Sequence, residues 1–339
     1  MSWHSPAPNR HSYNGQPLLL RRQTEVVEWK SGPTLYDLKV ASGGKVGLVE
    51  FRSFEDSLHP CSDAILSANK YIRKMRGGSQ SILVRANDGR HYVVKMMDNP
   101  IGPNLLANEH MGSLLANAVG LPVAQAKGII LSDSFIDSHP DLWFELTSGV
   151  RRPNKGMHLG SLFVGQTSGV GRPLEYISPS RVSAITNREA FLGMYLLDVW
   201  ANHQDNRQAI FRRSSTNELE VCFIDHGHMF GGPEWSFHGN LGSARHLETA
   251  VYTDLWQDEQ VAFWISRFQT VIPEMLMSIV PAMTSDWYSG DSSELFSKLM
   301  DRLLRLPELI QALRLPDFGI HDLRTPDTRS TFHRCRATA

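Results

Sequence analysis

"LLDVWANHQDNRQAIF", residues 196–211, and "LEVCFIDHGHMFGG", residues 219–232, carry most of what this chain says about its fold. Asp205 and Asp225 stand in these two stretches, each beside strongly apolar sequence. The first stretch opens within "NREAFLGMYLLDVWAN", 187–202, which is apolar nearly all round and so reads as a buried helix. "QAIFRR" and "LEVCFI" bracket "SSTNE" as a β-hairpin, and "VCFI" suits a buried strand. The order is helix, Asp-containing loop, hairpin, then a second Asp followed by His226-Gly227-His228.

A third charged residue in apolar company lies upstream. "SILVRANDGRHYVVKMMD", 81–98, holds two β-rich runs flanking "NDG", a strong hairpin signal. Strand alternation puts Val93, Lys95 and Met97 on one face and Tyr92, Val94 and Met96 on the other. Lys95 thus points among apolar neighbours. An uncompensated buried charge costs several kcal/mol, so a negative partner is expected. "NLLANEHMGSLLANAV" follows with helical spacing, closed by Gly120 and Pro122, and its Glu109 shares a face with Leu105 and Gly112. Glu109 is the candidate partner. Directly before the hairpin, "RGGSQ" supplies Gly77, Gly78, Ser79 and Gln80. Glycines let a backbone approach a ligand closely, and successive N–H groups can cradle phosphate oxygens. The plainer reading is a Gly-Gly turn, an edge lysine reaching water along its stem, and a solvated glutamate.

A strand lysine met by a glutamate of the next helix, then two aspartates in this order, is the layout of phosphoryl-transfer sites. There the first Asp accepts the proton of the attacking hydroxyl, which fits Asp205. The second holds magnesium against the phosphates, which fits Asp225. Two other readings stay open. Asp205 could form a turn and Asp225 cap a strand end. Alternatively, His203, Asp205, Asp225, His226 and His228 could form a metal-hydrolase cluster around an activated water. Those residue types suit zinc or manganese. Their spacing matches no metallohydrolase signature, and the cluster leaves Lys95 and "RGGSQ" without a role.

A length of 339 residues favours two lobes or domains. The formal net charge of -1 argues against a broad electrostatic footprint for nucleic acid or acidic membranes, so neither direct nucleic-acid binding nor membrane association is expected. Cys61, Cys222 and Cys335 suit neither a disulfide framework nor a zinc cluster, which points to a reducing, cytoplasmic setting. No run of about eighteen apolar residues is present. Residues 1–24 read as a poorly ordered leader and 326–339 as a loose tail. Residues 25–53 read as short strands between turns, and "SDAILSANKYIRKM", 62–75, as a helix opened by a Ser/Asp cap. "AKGIILSDSFI" reads as a strand, and 251–279 and 294–314 as amphipathic helices. The division drawn is 25–150, mixed strand and helix, and 151–325, mostly helical.

"YIRKMRGGSQSILVRANDGRHYVVKMMDNPIGPNLLANEHMGSLLANAVGLPV", "GMHLGSLFVG", "DVWANHQDNRQAIF" and "VCFIDHGHMF" together resemble the HipA-like kinases, over about residues 60–240. That family is bacterial, with a kinase-like two-lobed fold distantly similar to phosphatidylinositol kinases. The resemblance implies an α+β, two-lobed protein-kinase-like fold, a strand-rich front lobe and a helical back lobe with ATP between them. It implies Lys95 as the nucleotide lysine, Glu109 as its partner, Asp205 as the base and Asp225 as the magnesium ligand. Family members act as Ser/Thr protein kinases using ATP and Mg2+, and some are toxins of toxin–antitoxin pairs. A protein substrate and an antitoxin-like partner would follow. One position departs from the pattern. Kinases place an Asn metal ligand five residues after the catalytic Asp, and here that residue is Ile210. Asn206 and Gln208 offer amides nearby. Gln208 would supply the missing oxygen in a shorter loop, and Arg207 is a candidate phosphate contact. A nucleotide-binding module without turnover is the alternative function.

Overall fold

The computed structural model describes residues 66–166, 173–213, 218–238 and 244–313. The leader, the strands expected over 25–53 and the tail lie outside the described residues. The first described element is a strand, β1 (Leu66–Lys74), where a helix was expected over 62–75. It runs antiparallel to β2 (Ile82–Ala86), which pairs with β3 (His91–Lys95) across the "NDG" turn. The cause of the miscast helix is visible in the register. Two irregularities, between Ala68 and Lys70 and between Tyr71 and Arg73, break the alternation that marks a strand in sequence. Ladders with neighbours on both edges override the local propensity.

Helix α1 (Leu105–Ala118) follows, then β4 (Ala126–Leu131), a short helix α2 (Asp133–Asp137), a hairpin of β5 (Phe144–Leu146) and β6 (Gly149–Arg151), and β7 (Gly156–Leu162). The strand expected for "AKGIILSDSFI" therefore ends at Leu131 and gives way to α2, capped by the Ser132 hydroxyl accepting from the Phe135 N–H. Strand β7 runs antiparallel to both β3 and β4, and β1 runs parallel to β4, closing a barrel in the order β1-β2-β3-β7-β4. The strand-rich part, drawn to residue 150, thus extends to Leu162. The barrel has its own core, in which Tyr92, Val94 and Met96 pack with Ile82, Val84, Ile129 and Phe144. The alternation of β3 holds, and Lys95 lies on the face opposite this core.

The second core is built on α3 (Ala190–Ala201), whose residues are all buried. Around it stand α1, α4 (Asp258–Ile279), α5 (Ser292–Leu304) and α6 (Leu306–Ala312). The helix expected over 251–279 begins as a 3-10 turn at Thr249–Tyr252, and the one expected over 294–314 breaks between Leu304 and Leu306, before Pro307. Arg302 donates to the carbonyls of Val199 and Trp200, satisfying carbonyls at the C-terminal end of α3. Helix α3 stops at Asn202, whose left-handed φ of 51° turns the chain into the loop that carries Asp205. The expected hairpin follows as β8 (Gln208–Arg213) and β9 (Leu219–Ile224). It is anchored to the helical core by the Phe223 N–H donating to the Pro122 carbonyl at 2.7 Å. Among the described residues, no helix is long and apolar enough to cross a membrane.

Candidate active site

The Lys95 ammonium is the centre of the site. It lies 2.6 Å from Glu109 Oε2 and 2.7 Å from Asp225 Oδ1. The lysine and glutamate side chains are 9% and 4% exposed, so each needs the other. Burial works against the lysine's charge, but the Glu109 and Asp225 carboxylates outweigh it and hold its pKa above the ordinary range. The converse applies to Asp225, where burial is overcome first by Lys95 and then by Arg207, so its carboxyl stays ionised well below the usual range. Glu109 Oε2 also accepts from the His226 backbone N–H at 2.8 Å. Gln208 donates to Asp225 Oδ2 at 2.8 Å. One strand end, one helix and the two ends of the β8–β9 hairpin thus converge around Lys95 and Asp225. Asp225 itself has φ 63°, a conformation that costs a non-glycine residue about 1–2 kcal/mol and persists only where neighbours fix it.

Arg207 does not point outward as a phosphate contact. Its guanidinium is buried and forks onto the carboxylate of Asp198, on α3. Its other nitrogen donates to the carbonyls of Ile224 and Asp225, both at 3.0 Å, and to His226 Nδ1 at 3.2 Å. Arg207 therefore fixes the turn at Asp225 from behind. The signal for this was present in sequence: Asp198 is the one carboxylate inside "FLGMYLLDVWA", and a carboxylate within a buried helix requires a cation.

His203 links the two aspartate loops, with Nδ1 2.7 Å from the Asp205 carbonyl and Nε2 3.4 Å from the Asp225 carbonyl. Burial, with Arg207 nearby, pulls its pKa down to about 4. His226 is also buried, and Arg207 faces its Nδ1. The His203 ring serves the backbone and the His226 ring meets Arg207, and among the described residues no group of three or more His, Cys, Asp or Glu side chains could hold a metal ion. The hydrolase cluster of His203, Asp205, Asp225, His226 and His228 is thereby corrected: His203 ties the two aspartate loops together and His226 faces Arg207. Asp205 is exposed, and its carboxylate accepts from the Asn206 N–H at 2.7 Å.

Residues 75–81 form the loop between β1 and β2, closed by the Met75 N–H donating to the Ser81 carbonyl. Gly77 adopts φ 117°, which a side chain would strain. Ser79 lies with its carbonyl accepting from Asn99, and Gly78 faces Ile101. The Gln80 side chain is turned away from a phosphate role. Its carboxamide donates to the Glu145 carbonyl at 2.8 Å and accepts from the Glu145 N–H at 2.7 Å, binding the loop to β5.

The chain after Asp225 is held by α1. Asn108 is fully buried and donates to the carbonyls of Gly227, Met229 and Gly232 at 2.9–3.0 Å, while its oxygen accepts from the Trp235 indole at 2.7 Å. Phe230, Trp235 and Phe237 all have positive φ. Sequence reasoning passed over Asn108, although an Asn one residue before the key glutamate in an apolar helix was the available clue.

A lysine on a barrel strand, paired with a helix carboxylate and with Asp225 after the β8–β9 hairpin, is the kind of arrangement that kinase-type phosphotransferases use. The chain belongs to the HipA-like kinase family, whose model matches residues 69–301. No curated protein matches the chain. Among solved structures, the Golgi casein kinase with Mn/ADP bound is similar at 14% identity and a TM-score of 0.46, over 72% of each chain. The Helicobacter pylori proinflammatory kinase CtkA is similar at 12% identity and a TM-score of 0.44, over 72% of this chain and 95% of that one.

Proposed function

We propose that the chain is an ATP- and Mg2+-dependent phosphotransferase of two-lobed, protein-kinase-like architecture that acts on a protein serine or threonine hydroxyl. The observation that carries this reading is the charge of the site. Lys95 meets two carboxylates, Glu109 and Asp225, while Arg207 is matched by Asp198. The set keeps one negative charge in excess, on an Asp225 side chain that is 25% exposed. A divalent cation is what such a set can still accept; Asp225 would hold it, joined by Gln208 once its carboxamide turned its oxygen, in place of the NH2 that now donates to Asp225, toward the ion. When bound, magnesium neutralises charge on the transferred phosphoryl group.

The chain's own residues do the rest. Lys95 orients the nucleotide phosphates while Glu109 keeps it charged. Gly77, Gly78 and Ser79 offer backbone N–H groups to them, and Asp205, free to reach solvent, takes the proton from the acceptor hydroxyl. Gln208, whose NH2 donates to Asp225 Oδ2 at 2.8 Å, is close enough for its oxygen to stand in for the Asn missing at Ile210 if the carboxamide turns over. The competing reading, nucleotide binding without turnover, draws its support from Ile210.

The test is melting temperature with and without Mg·ATP. Ligand at about 100 times its dissociation constant adds roughly 2.7 kcal/mol to stability. Asp225→Asn is expected to abolish the magnesium-dependent part of the shift, and Gln208→Ala to weaken it. An unchanged shift in Asp225→Asn removes Asp225 from the site and overturns the reading.

A further inference from the structure

We propose that Asn108 is a positioning residue for the metal-binding carboxylate, acting through the chain that follows Asp225. The inference rests on the kinase reading and adds a residue to it. Adjacent residues of α1 grip opposite sides of one loop. Glu109 accepts the His226 N–H, and Asn108 takes the next carbonyls, those of Gly227, Met229 and Gly232. One turn earlier, the Asn104 N–H donates to the Pro233 carbonyl at 3.2 Å. The Asn108 amide has two protons for three carbonyls, and its oxygen has the Trp235 indole, so both ends are engaged.

This carboxamide does something an apolar core residue cannot. The segment 225–237 holds Asp225, Phe230, Trp235 and Phe237 in left-handed conformations, together with Gly231 and Gly232. Its carbonyls do not pair along a strand or helix: turns give those of Met229 and Gly232 one donor each, from the Gly232 and Trp235 N–H groups, and these two and the Gly227 carbonyl also accept from another element. Asn108 supplies these donors from the same helix that holds Lys95 through Glu109. Lysine, glutamate and metal-binding aspartate are thereby set on one rigid frame. A group that orients a metal ligand from behind is worth about 10–100-fold in metal affinity.

The test compares three full-length proteins: wild type, Asn108→Asp and Ser113→Ala. Asn108→Asp keeps an acceptor for the Trp235 indole but loses the donors. Ser113 lies on the same helix, buried, with its hydroxyl donating to the Ala124 carbonyl, so its loss mimics a purely structural defect. Each protein is saturated with ADP and titrated with Mg2+ while its melting temperature is followed against its own metal-free value. The Mg2+ concentration giving half the shift is expected to rise about 10–100-fold in Asn108→Asp and to stay within about threefold of wild type in Ser113→Ala. Equal Mg2+ midpoints in wild type and Asn108→Asp would overturn the inference. A wild type that shows no Mg2+-dependent shift would instead overturn the kinase reading. Should Asn108→Asp not fold, amide exchange on the ligand-free wild type decides. Residues 226–235 are expected to exchange as slowly as α1, and unprotected rates there would sink the proposal.

Discussion

Removing the Lys95 ammonium probes the site without any ligand. In Lys95→Met, Glu109, 4% exposed, and Asp225, 25% exposed, face each other with no cation between them. Breaking a buried ion pair on one side costs about 3–5 kcal/mol, because a charge remains uncompensated. Glu109→Gln alone should cost less, about 1.5–3 kcal/mol, since Lys95 still has Asp225 and the Gln oxygen can still accept from His226 N–H. In the double mutant, the charge that Lys95→Met strands on Glu109 is gone. The combined loss should therefore fall short of the sum by about 0.5–3 kcal/mol. The assay is urea unfolding of the ligand-free proteins, with midpoints compared at equal slope. Additivity within about 0.3 kcal/mol would refute the pairing.

Acidification should destabilise the fold well before the carboxylates titrate. Burial lowers the pKa of His110, His158 and His203 to about 4, while the unfolded chain takes up these protons near about 6.5. Stability is therefore full above that range and is lost as pH falls toward 4, on the order of 2 kcal/mol per histidine by pH 5. A melting temperature unchanged between about pH 7 and about pH 5 would contradict this. Gly112→Ala would put a methyl group 2.6 Å from both His226 Cβ and Met229 Sδ. It should cost about 1–3 kcal/mol and reduce the Mg·ATP shift, because α1 and the chain after Asp225 must move apart. Equilibrium unfolding and the same thermal assay check both effects.

The site residues were legible because each broke its local pattern. Lys95 interrupts an apolar strand face, Glu109 an apolar helix, and Asp225 follows an all-apolar strand, so each needed a partner that sequence order could suggest. The β2–β3 hairpin was legible for the opposite reason, since alternation and turn chemistry agree there. Strand β1 was not, because its irregularities destroyed the period that would have marked it. Arg207 was offered only as a candidate phosphate contact because its partner Asp198 lies in a helix read only as apolar. Gln80 was read as a phosphate contact because the β5–β6 hairpin that takes its carboxamide left too weak a pattern to be seen. Asn108 was missed because its partners are backbone carbonyls, which no sequence pattern displays.

The most direct measurement is transfer of label from γ-labelled ATP, with Mg2+, to protein acceptors and to the chain itself, in wild type and Asp205→Asn. Asp205 is exposed and pairs locally with the Asn206 N–H, so its loss should leave the nucleotide frame intact. The account predicts transfer by wild type, a turnover about 10²–10⁴ lower in Asp205→Asn, and equal Mg·ADP melting shifts in both. Tight Mg·ADP binding with no transfer by wild type to any acceptor, or equal turnover in the two proteins, would contradict it.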